Sequence, residues 1–296
     1  MNNGDDMISS PLRYPGGKAK LCYYIEKVIN CNHLGGYNFY EPFAGGASVS
    51  INLLQSDMIG QATLIEKDPL IYAFWYTVFN KTAELCSMIE ESKVNIETWE
   101  YLTHCKNIDI PNKENILELG FAGLFFNRTS FSGILNGGPI GGFKQDGKYK
   151  IDCRFNKEKL IKSIYFLSLY KDRVNVLLDD GVRFLDYCSH HIQGNSFFYV
   201  DPPYYNKGKS LYRRYFNNQE HINLSNILKR SQFPWLLSYD NCPFINEIYG
   251  HDNCQLNRTF LYFDYSINNV RKEQELLVSN LEIPPIETKL LSKYVS

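Results

Sequence analysis

Short runs of apolar and β-branched residues, each followed by turn-forming residues, give the chain an α/β pattern. The clearest run is Phe197-Phe198-Tyr199-Val200, which Pro202 and Pro203 end abruptly. Residues that are apolar at successive positions are typical of a strand buried on both faces of a parallel sheet. Similar runs predict strands at 38–40, 64–68, 174–178 and 235–237, with helices at 49–54 and 71–85. The sequence therefore predicts an open α/β sheet.

The strand pattern stops for a long central stretch. Residues 77–162 indicate helices and irregular loops, with four glycines and a proline at 137–142. The segment 143–150 has alternating residues around Asp146-Gly147, which predicts a hairpin that presents Lys144, Lys148 and Lys150 outward. We predict a discontinuous sheet domain of residues 1–76 and 163–296, interrupted by an insert at 77–162.

Composition is that of a globular protein. The chain has 296 residues, of which 44% are hydrophobic and 21% charged, enough for one large α/β domain and an insert. Residues 1–6 contain no basic stretch before an apolar core, and no run approaches the roughly 18 apolar residues of a membrane span. We expect neither a signal peptide nor a membrane segment, and a cytoplasmic location.

The net charge of −1 gives no general attraction to a polyanion. Locally the picture changes, because residues 128–173 contain ten Lys or Arg against four Asp or Glu. This basic zone could contact phosphates, or it could simply be a solvated face.

The eight cysteines form no C-x-x-C pair, and the adjacent His190 and His191 lack cysteine partners at zinc spacing, so no metal site is expected.

Asp201-Pro202-Pro203-Tyr204 places a carboxylate and an aromatic ring directly after the clearest strand. In open α/β sheets this edge is where ligands bind. Two prolines remove two backbone donors, so carbonyl acceptors stand beside the carboxylate. This group suits a planar amine stacked on Tyr204. The alternative is a tight Pro-Pro turn with an aspartate cap and a packed tyrosine.

A second ligand-binding candidate begins at the strand 38–40. There the chain enters a glycine turn within residues 41–48 and then a helix, whose free N–H groups could meet a ligand. About twenty residues on, Glu66 has the spacing at which a Rossmann-like unit binds ribose hydroxyls, with Asp68 as a substitute. Steric need for the glycines, and helix capping by the acids, are the alternatives.

Together with further segments along the chain, the Asp201–Tyr204 motif, the glycine turn and Glu66 resemble motifs of one family in their order. This family is the Dam-like (alpha-group) adenine-specific DNA methyltransferases, which use S-adenosylmethionine. The resemblance spans residues 9–280 and rests on the segments 13–18, 41–48, 66, 126–133, 201–204, 236–241 and 271–277. It implies a Rossmann-like methyltransferase mixed sheet, with residues 1–76 and 163–296 as the discontinuous catalytic domain. The mostly helical insert at 77–162 would be the target-recognition domain.

The resemblance implies methyl transfer from S-adenosylmethionine to the adenine-N6 amine of a base flipped out of double-stranded DNA. The catalytic residues would be Asp201, Pro202, Pro203 and Tyr204. Cofactor contacts would come from Tyr14, Lys18, Glu41, Pro42, Phe43, Ala44, Gly45, Gly46, Ser48, Glu66, Asp180 (or the adjacent Asp179) and Asp201. DNA contacts would come from Asn127, Arg128, Phe131, Asn136, Lys144, Lys148, Lys207, Lys209, Arg213 and Arg214. Phe131 would wedge into the duplex, or else belong to the core.

Several alternatives stay open. A cytosine-N4 methyltransferase could hold its amine with the same acceptors, and a catalytically inactive DNA-binding relative is a second possibility. RNA and protein-glutamine methyltransferases usually carry Asn at the position of Asp201. The cofactor loop has Gly-Gly-Ala where many relatives have Gly-x-Gly, and the ribose acid is Glu66 instead of Asp. The enzyme could be an orphan or the protective partner of a separately encoded restriction endonuclease; its target sequence and oligomeric state are not indicated.

Overall fold

The computed structural model describes residues 7–13, 19–192, 194–206, 208, 213–250, 256–266 and 270–286; for 19–20, 262–266 and 270–273 it describes the backbone alone. The strands are β1 (Asn38–Glu41), β2 (Gln61–Glu66), β3 (Val174–Leu178), β4 (Ser196–Val200), β5 (Trp235–Asp240), β6 (Asn257–Ser266) and β7 (Val270–Ser279). They form one sheet in the order β3-β2-β1-β4-β5-β7-β6.

Helices connect and cover these strands. They are α1 (Ala19–Cys31), α2 (Ser48–Gln55), α3 (Pro69–Asn80), α4 (Thr82–Glu91), α5 (Ile96–Tyr101), α6 (Ile116–Thr129), α7 (Lys157–Ser168), α8 (Gly181–His191), α9 (Asn218–Arg230) and α10 (Pro243–Ile248). Short 3₁₀ turns lie at Leu102–Asn107, Phe131–Gly133 and Lys171–Arg173. Among the helices described, none is long and apolar enough to cross a membrane.

The first five strands in chain order are parallel, whereas β7 runs antiparallel to both β5 and β6. All five residues of β4 are buried, as expected for a central strand with helices on both faces. From β1 the chain proceeds outward to β2, and the later strand β4 lies on the other side of β1. Ligands bind at such a reversal of strand order in doubly wound sheets. The predicted fold class is confirmed.

Helices α4, α5 and α6 lie between β2 and β3, within the predicted insert. Helix α6 packs closely on α3: a Cβ on Gly123 would lie 2.4 Å from the Leu70 carbonyl oxygen, and one on Gly120 2.8 Å from that of Ala73. The glycines therefore allow the two backbones to approach.

The boundaries predicted at 77 and 162 fall inside α3 and α7, so these helices continue from the sheet domain into the insert.

The hairpin predicted at 143–150 is wrong, because this segment consists of turns. The side chain of Gln145 replaces a strand ladder. Its amide nitrogen donates to the carbonyl oxygens of Ile140 (2.8 Å) and Gly142, and its amide oxygen accepts from the Ile151 N–H at 2.9 Å. Lys144, Lys148 and Lys150 are nevertheless exposed, as predicted.

Candidate active site

Carboxylates mark the carboxyl ends of all five parallel strands. Glu41 ends β1, Glu66 ends β2, Asp179 follows β3, Asp201 follows β4 and Asp240 ends β5. Because the strands are parallel, these ends meet at one edge of the sheet. The structure thus places Glu41, Glu66 and Asp201, predicted separately from the sequence, along a common edge.

Asp201 is positioned by side chains of two neighbouring strands. The Ser238 hydroxyl of β5 donates to Asp201 Oδ1 at 2.8 Å, and the Tyr199 hydroxyl lies 2.8 Å from Ser238 Oγ. Since the hydroxyl hydrogen of Ser238 points to Asp201, Tyr199 donates in its turn to Ser238. Both Tyr199 and Ser238 are fully buried. This series of hydrogen bonds fixes Asp201 at the end of β4. In the residues that follow, Pro202 and Pro203 are buried and Tyr204 is half-buried.

The glycine loop between β1 and α2 is tied to β2 and α3. The Ala44 N–H donates to the Ile65 carbonyl at 3.1 Å, and Trp75 Nε1 donates to the Gly45 carbonyl at 2.8 Å. Gly45 and Ala47 have φ values of 46° and 48°, in the left-handed region that glycine adopts without strain. These hydrogen bonds fix the loop close to the acidic edge.

Glu66 joins this loop to the turn after β2. Its two carboxylate oxygens accept from the N–H groups of Gly45 at 2.9 Å and Asp68 at 2.8 Å. Burial raises the pKa of Glu66 to about 7, against the opposing effect of these bonds. A carboxylate oxygen can accept more than one hydrogen bond, so hydroxyl donors of a ligand could still bind there.

Glu41 is buried at 4% exposure beneath the loop. It accepts hydrogen bonds from the backbone N–H (3.3 Å) and the hydroxyl (2.5 Å) of Ser50 in α2. Burial raises its pKa to about 8, and the charges of Asp201 and Glu66 add to the rise. Glu41 thus fixes α2 behind the loop; Ser48, the first residue of that helix, is half-buried.

Asp180 caps α8 by accepting from the N–H groups of Val182 and Arg183 at 2.9 and 3.1 Å, and it pairs with Lys67 at 2.6 Å. Burial acts to raise its pKa, but Lys67 and the helix N–H groups outweigh burial and hold it below the usual value. The adjacent Asp179 pairs with Arg183. Asp180 is therefore a helix cap in this structure, and its contact with a cofactor stays a prediction.

The start of α8 also packs on the glycine loop. A Cβ on Gly181 would lie 2.3 Å from the Pro42 carbonyl oxygen and 2.7 Å from the Phe43 ring. The Phe43 ring in turn packs edge-on against Phe216 at 5.7 Å. Pro42, Ala44 and Gly46 are buried. The predicted loop residues thus form one packed wall at this edge.

The segment after Tyr204 is anchored to β5. Asp240 accepts from the N–H groups of Tyr205 (2.8 Å) and Asn206 (3.0 Å), and the Tyr205 ring stacks on Phe244 at 4.6 Å. Sequence reasoning missed Asp240, Tyr199 and Ser238. A serine inside the otherwise apolar strand β5 was the available signal, since a polar residue in a fully buried strand needs a partner.

Arg213, predicted to contact a DNA phosphate, is mostly enclosed and paired within the protein. Its side chain is 11% exposed, pairs with the buried Asp68 at 3.1 Å and donates to the Lys106 carbonyl at 2.7 Å. A guanidinium that is buried and paired in this way is committed to the protein interior. Arg214 is exposed and pairs with Asp109 at the surface at 2.6 Å. Lys207 and Lys209 lie outside the described residues, as do Tyr14 and Lys18.

Asn127 also requires correction as a DNA-reading residue. It is fully buried, accepts from the Arg13 N–H at 2.6 Å, and donates to the carbonyls of Arg13 and Gly133 at 2.8 and 3.1 Å. These bonds use its polar atoms to join the N-terminal segment to α6. Phe131 is 70% exposed, which rules out the core alternative, and Asn136 is also exposed.

One group in the described part of the chain could hold a metal ion: ligand atoms of His104, Cys105 and Glu118 lie within 4.8 Å of one another. His104 Nε2 lies 3.5 Å from a carboxylate oxygen of Glu118, and Cys105 is buried. These residues belong to the insert and not to the acidic edge of the sheet. The residues at that edge supply oxygen acceptors and packed glycines, which suit an organic ligand.

Comparison with known proteins agrees with this geometry. The profile of the D12 class N6 adenine-specific DNA methyltransferases matches residues 14–260. The "Type II methyltransferase M.CviBI" of Paramecium bursaria Chlorella virus NC1A is 24% identical over 245 residues, which cover 80% of this chain and 85% of the viral protein. The family match covers most of the chain, including the glycine loop, the insert and Asp201–Tyr204. The chain therefore belongs to the family of D12 class N6 adenine-specific DNA methyltransferases.

Proposed function

We propose that this adenine-N6 DNA methyltransferase takes its methyl group from S-adenosylmethionine, held at the acidic edge between the glycine loop and the end of β2. The observation that carries the proposal is the convergence of Glu66, the loop at 41–48 and Asp201 at the reversal of strand order. Glu66 would accept the ribose hydroxyls, because its oxygens can accept bonds beyond those from Gly45 and Asp68. When bound, the cofactor supplies an electrophilic methyl group on a sulfonium.

The target base would lie against Asp201–Tyr204. Adenine must leave the duplex before its amine is accessible, at an energetic cost of a few kcal/mol that stacking and hydrogen bonds offset. Tyr204 would stack on the base, while Asp201 and the Pro202 carbonyl would accept hydrogen bonds from the two N–H groups of the amine. Because conjugation with the ring makes this amine a poor nucleophile, these acceptors would shift its lone pair toward attack.

The helical insert is proposed to read the DNA. Phe131 is exposed at the end of α6 and suits a wedge between base pairs. Asn136, Lys144 and Lys148 are exposed near it in the chain and could contact bases and phosphates. A separately encoded restriction endonuclease is the proposed functional partner; the viral relative is named a Type II methyltransferase.

Methyl transfer to DNA with labelled S-adenosylmethionine, followed by nucleoside mass spectrometry, tests the proposal. We expect N6-methyladenine as the product; N4-methylcytosine as the sole product would overturn the base assignment. Replacing Asp201 with Ala should lower the rate by at least ~100-fold, as removal of one key stabilising contact does, with folding retained by circular dichroism. Full turnover by that variant would remove Asp201 from the chemistry.

A further inference from the structure

A basic cavity lies beside the start of α2, with Ser48 in its lining. Its volume is about 650 Å³, and it lies among the N-terminal segment 7–13, α2 and α7. Four cationic side chains line it: Arg13, Arg128, Arg154 and Lys159. The described residues of the lining include no carboxylate. Like charges repel strongly where water is partly excluded, so this lining favours an anionic ligand.

Two of the arginines are held in place by the fold. Arg128 Nε donates to the Pro11 carbonyl at 2.6 Å, and the backbone of Arg13 is bound on both sides by Asn127. Arg13 Nη1 is buried and, among the residues that the structure describes, has no hydrogen-bond partner. Unpaired buried donors are uncommon because desolvation is unfavourable. This donor is therefore available to a ligand that enters the cavity.

The charges in the cavity repel one another. Burial, then the charges of Arg13 and Arg154, lower the pKa of Arg128 to about 10. Burial and Arg154 likewise hold the pKa of Arg13 below its usual value. An anion placed among these groups would reverse both effects, because it would pair with the charges and satisfy the unpaired donor.

We propose that this cavity binds a phosphate group of the DNA backbone, beside the point where Phe131 enters the duplex. The proposal rests on the proposed DNA function. Arginine forks match phosphate oxygens in a bidentate manner. The position follows from Gly133, where a Cβ would lie 2.8 Å from the Arg13 carbonyl oxygen, two residues after the exposed Phe131. The segment that carries Phe131 therefore packs against the backbone of Arg13, which places this cavity near Phe131.

The test uses Arg154, which is exposed and can be replaced without emptying the interior. Equilibrium binding of duplex DNA is measured over a range of salt concentrations for the wild type and for Arg154→Gln. Loss of one phosphate contact should reduce the slope of log K against log salt by about 1, and weaken binding equally for all sequences. Arg230→Gln is the matched control, because it removes the same charge from a surface pair with Asp186.

Equal slopes for Arg154→Gln, Arg230→Gln and the wild type would overturn the proposal. A second arm adds inorganic phosphate at constant ionic strength. If phosphate raises the Tm of the wild type but not of Arg154→Gln, while their DNA slopes agree, the ligand is a free phosphate and the backbone assignment is wrong. Direct binding also separates the two hypotheses: a wild type that binds DNA through Arg154 but transfers no methyl group would refute the proposed function alone.

Discussion

Ser238 hydrogen-bonds the carboxylate of Asp201 and so connects it to the neighbouring strand β5. The Tyr199 hydroxyl in turn hydrogen-bonds Ser238. A carboxylate that accepts a hydrogen bond from a weakly nucleophilic amine needs a fixed orientation, since small displacements lower rates steeply. In this structure the orientation depends on a hydroxyl buried within the sheet. Ser238 is a positioning residue, because it acts through Asp201.

Replacing Ser238 with Ala should lower kcat by about tenfold or more, since a hydrogen bond to a charged group contributes about 1.5–3 kcal/mol and 1.4 kcal/mol is a factor of ten. The KM values for DNA and cofactor should change little, because the lost contact aids the transition state. Steady-state kinetics measure both. Ser238→Thr keeps the hydroxyl and should recover most of the activity. An unchanged kcat in Ser238→Ala would show that Asp201 does not need this bond.

At the scale of elements, the contact between α3 and α6 joins the insert to the sheet domain. Gly123 lies against the Leu70 carbonyl so closely that any side chain would have to displace a backbone. In an exposed helix, alanine is more favourable than glycine by about 1 kcal/mol. Here overpacking opposes that gain, and it typically destabilises by about 1–3 kcal/mol.

Gly123→Ala should therefore lower the Tm, by roughly 2–4 °C for each kcal/mol lost at this approximate size. Gly35→Ala is the control, because nothing lies within 4 Å of its added Cβ. Differential scanning calorimetry compares the two variants. If Gly123→Ala is as stable as Gly35→Ala, the helices can separate without loss, and the close approach is not a constraint on the insert.

Local sequence patterns predicted the elements that depend on local forces. The apolar run at 197–200 and its terminal prolines indicated β4 to within one residue, because burial on two faces leaves a signal at every position. The turn signal at Asp146-Gly147 failed, because the Gln145 side chain satisfies nearby backbone groups that a hairpin would have paired. Side-chain competition of this kind is not visible in alternation alone.

Pairings between distant residues could not be predicted. Asn127 and Arg213 were assigned to DNA from their residue types, yet their partners lie 114 and 145 positions away in the chain. Polar residues in a basic, aromatic context resemble a nucleic-acid surface whether they point outward or inward. The fold alone determines whether such a side chain points outward or inward. The acidic edge was predicted because it depends on where strands end, whereas the interior contacts of Asn127 and Arg213 were missed.

At the scale of the whole molecule, Arg213 connects the proposed cofactor site, the proposed insert and the segment after Asp201–Tyr204. It pairs with Asp68, whose N–H donates to Glu66 in the proposed cofactor site, and it donates to Lys106 in the insert. Arg213 itself belongs to the segment that follows Asp201–Tyr204. Loss of one partner from a buried ion pair is typically destabilising by about 3–5 kcal/mol. The connection should therefore couple cofactor binding to DNA binding.

Arg213→Gln should lower the Tm and raise the KM for both S-adenosylmethionine and DNA, because the turn at Glu66 and the insert lose a common anchor. Combined with Asp68→Asn, it should be non-additive by about 0.5–3 kcal/mol in unfolding free energy, as for residues in contact.

The adjacent Arg214→Gln is the control: its pair with Asp109 is exposed, and such pairs contribute about 0–1 kcal/mol. Chemical denaturation and kinetics compare the variants. If Arg213→Gln and Arg214→Gln behave alike and alter only the salt dependence of DNA binding, Arg213 is a phosphate contact and the three parts are not coupled through it.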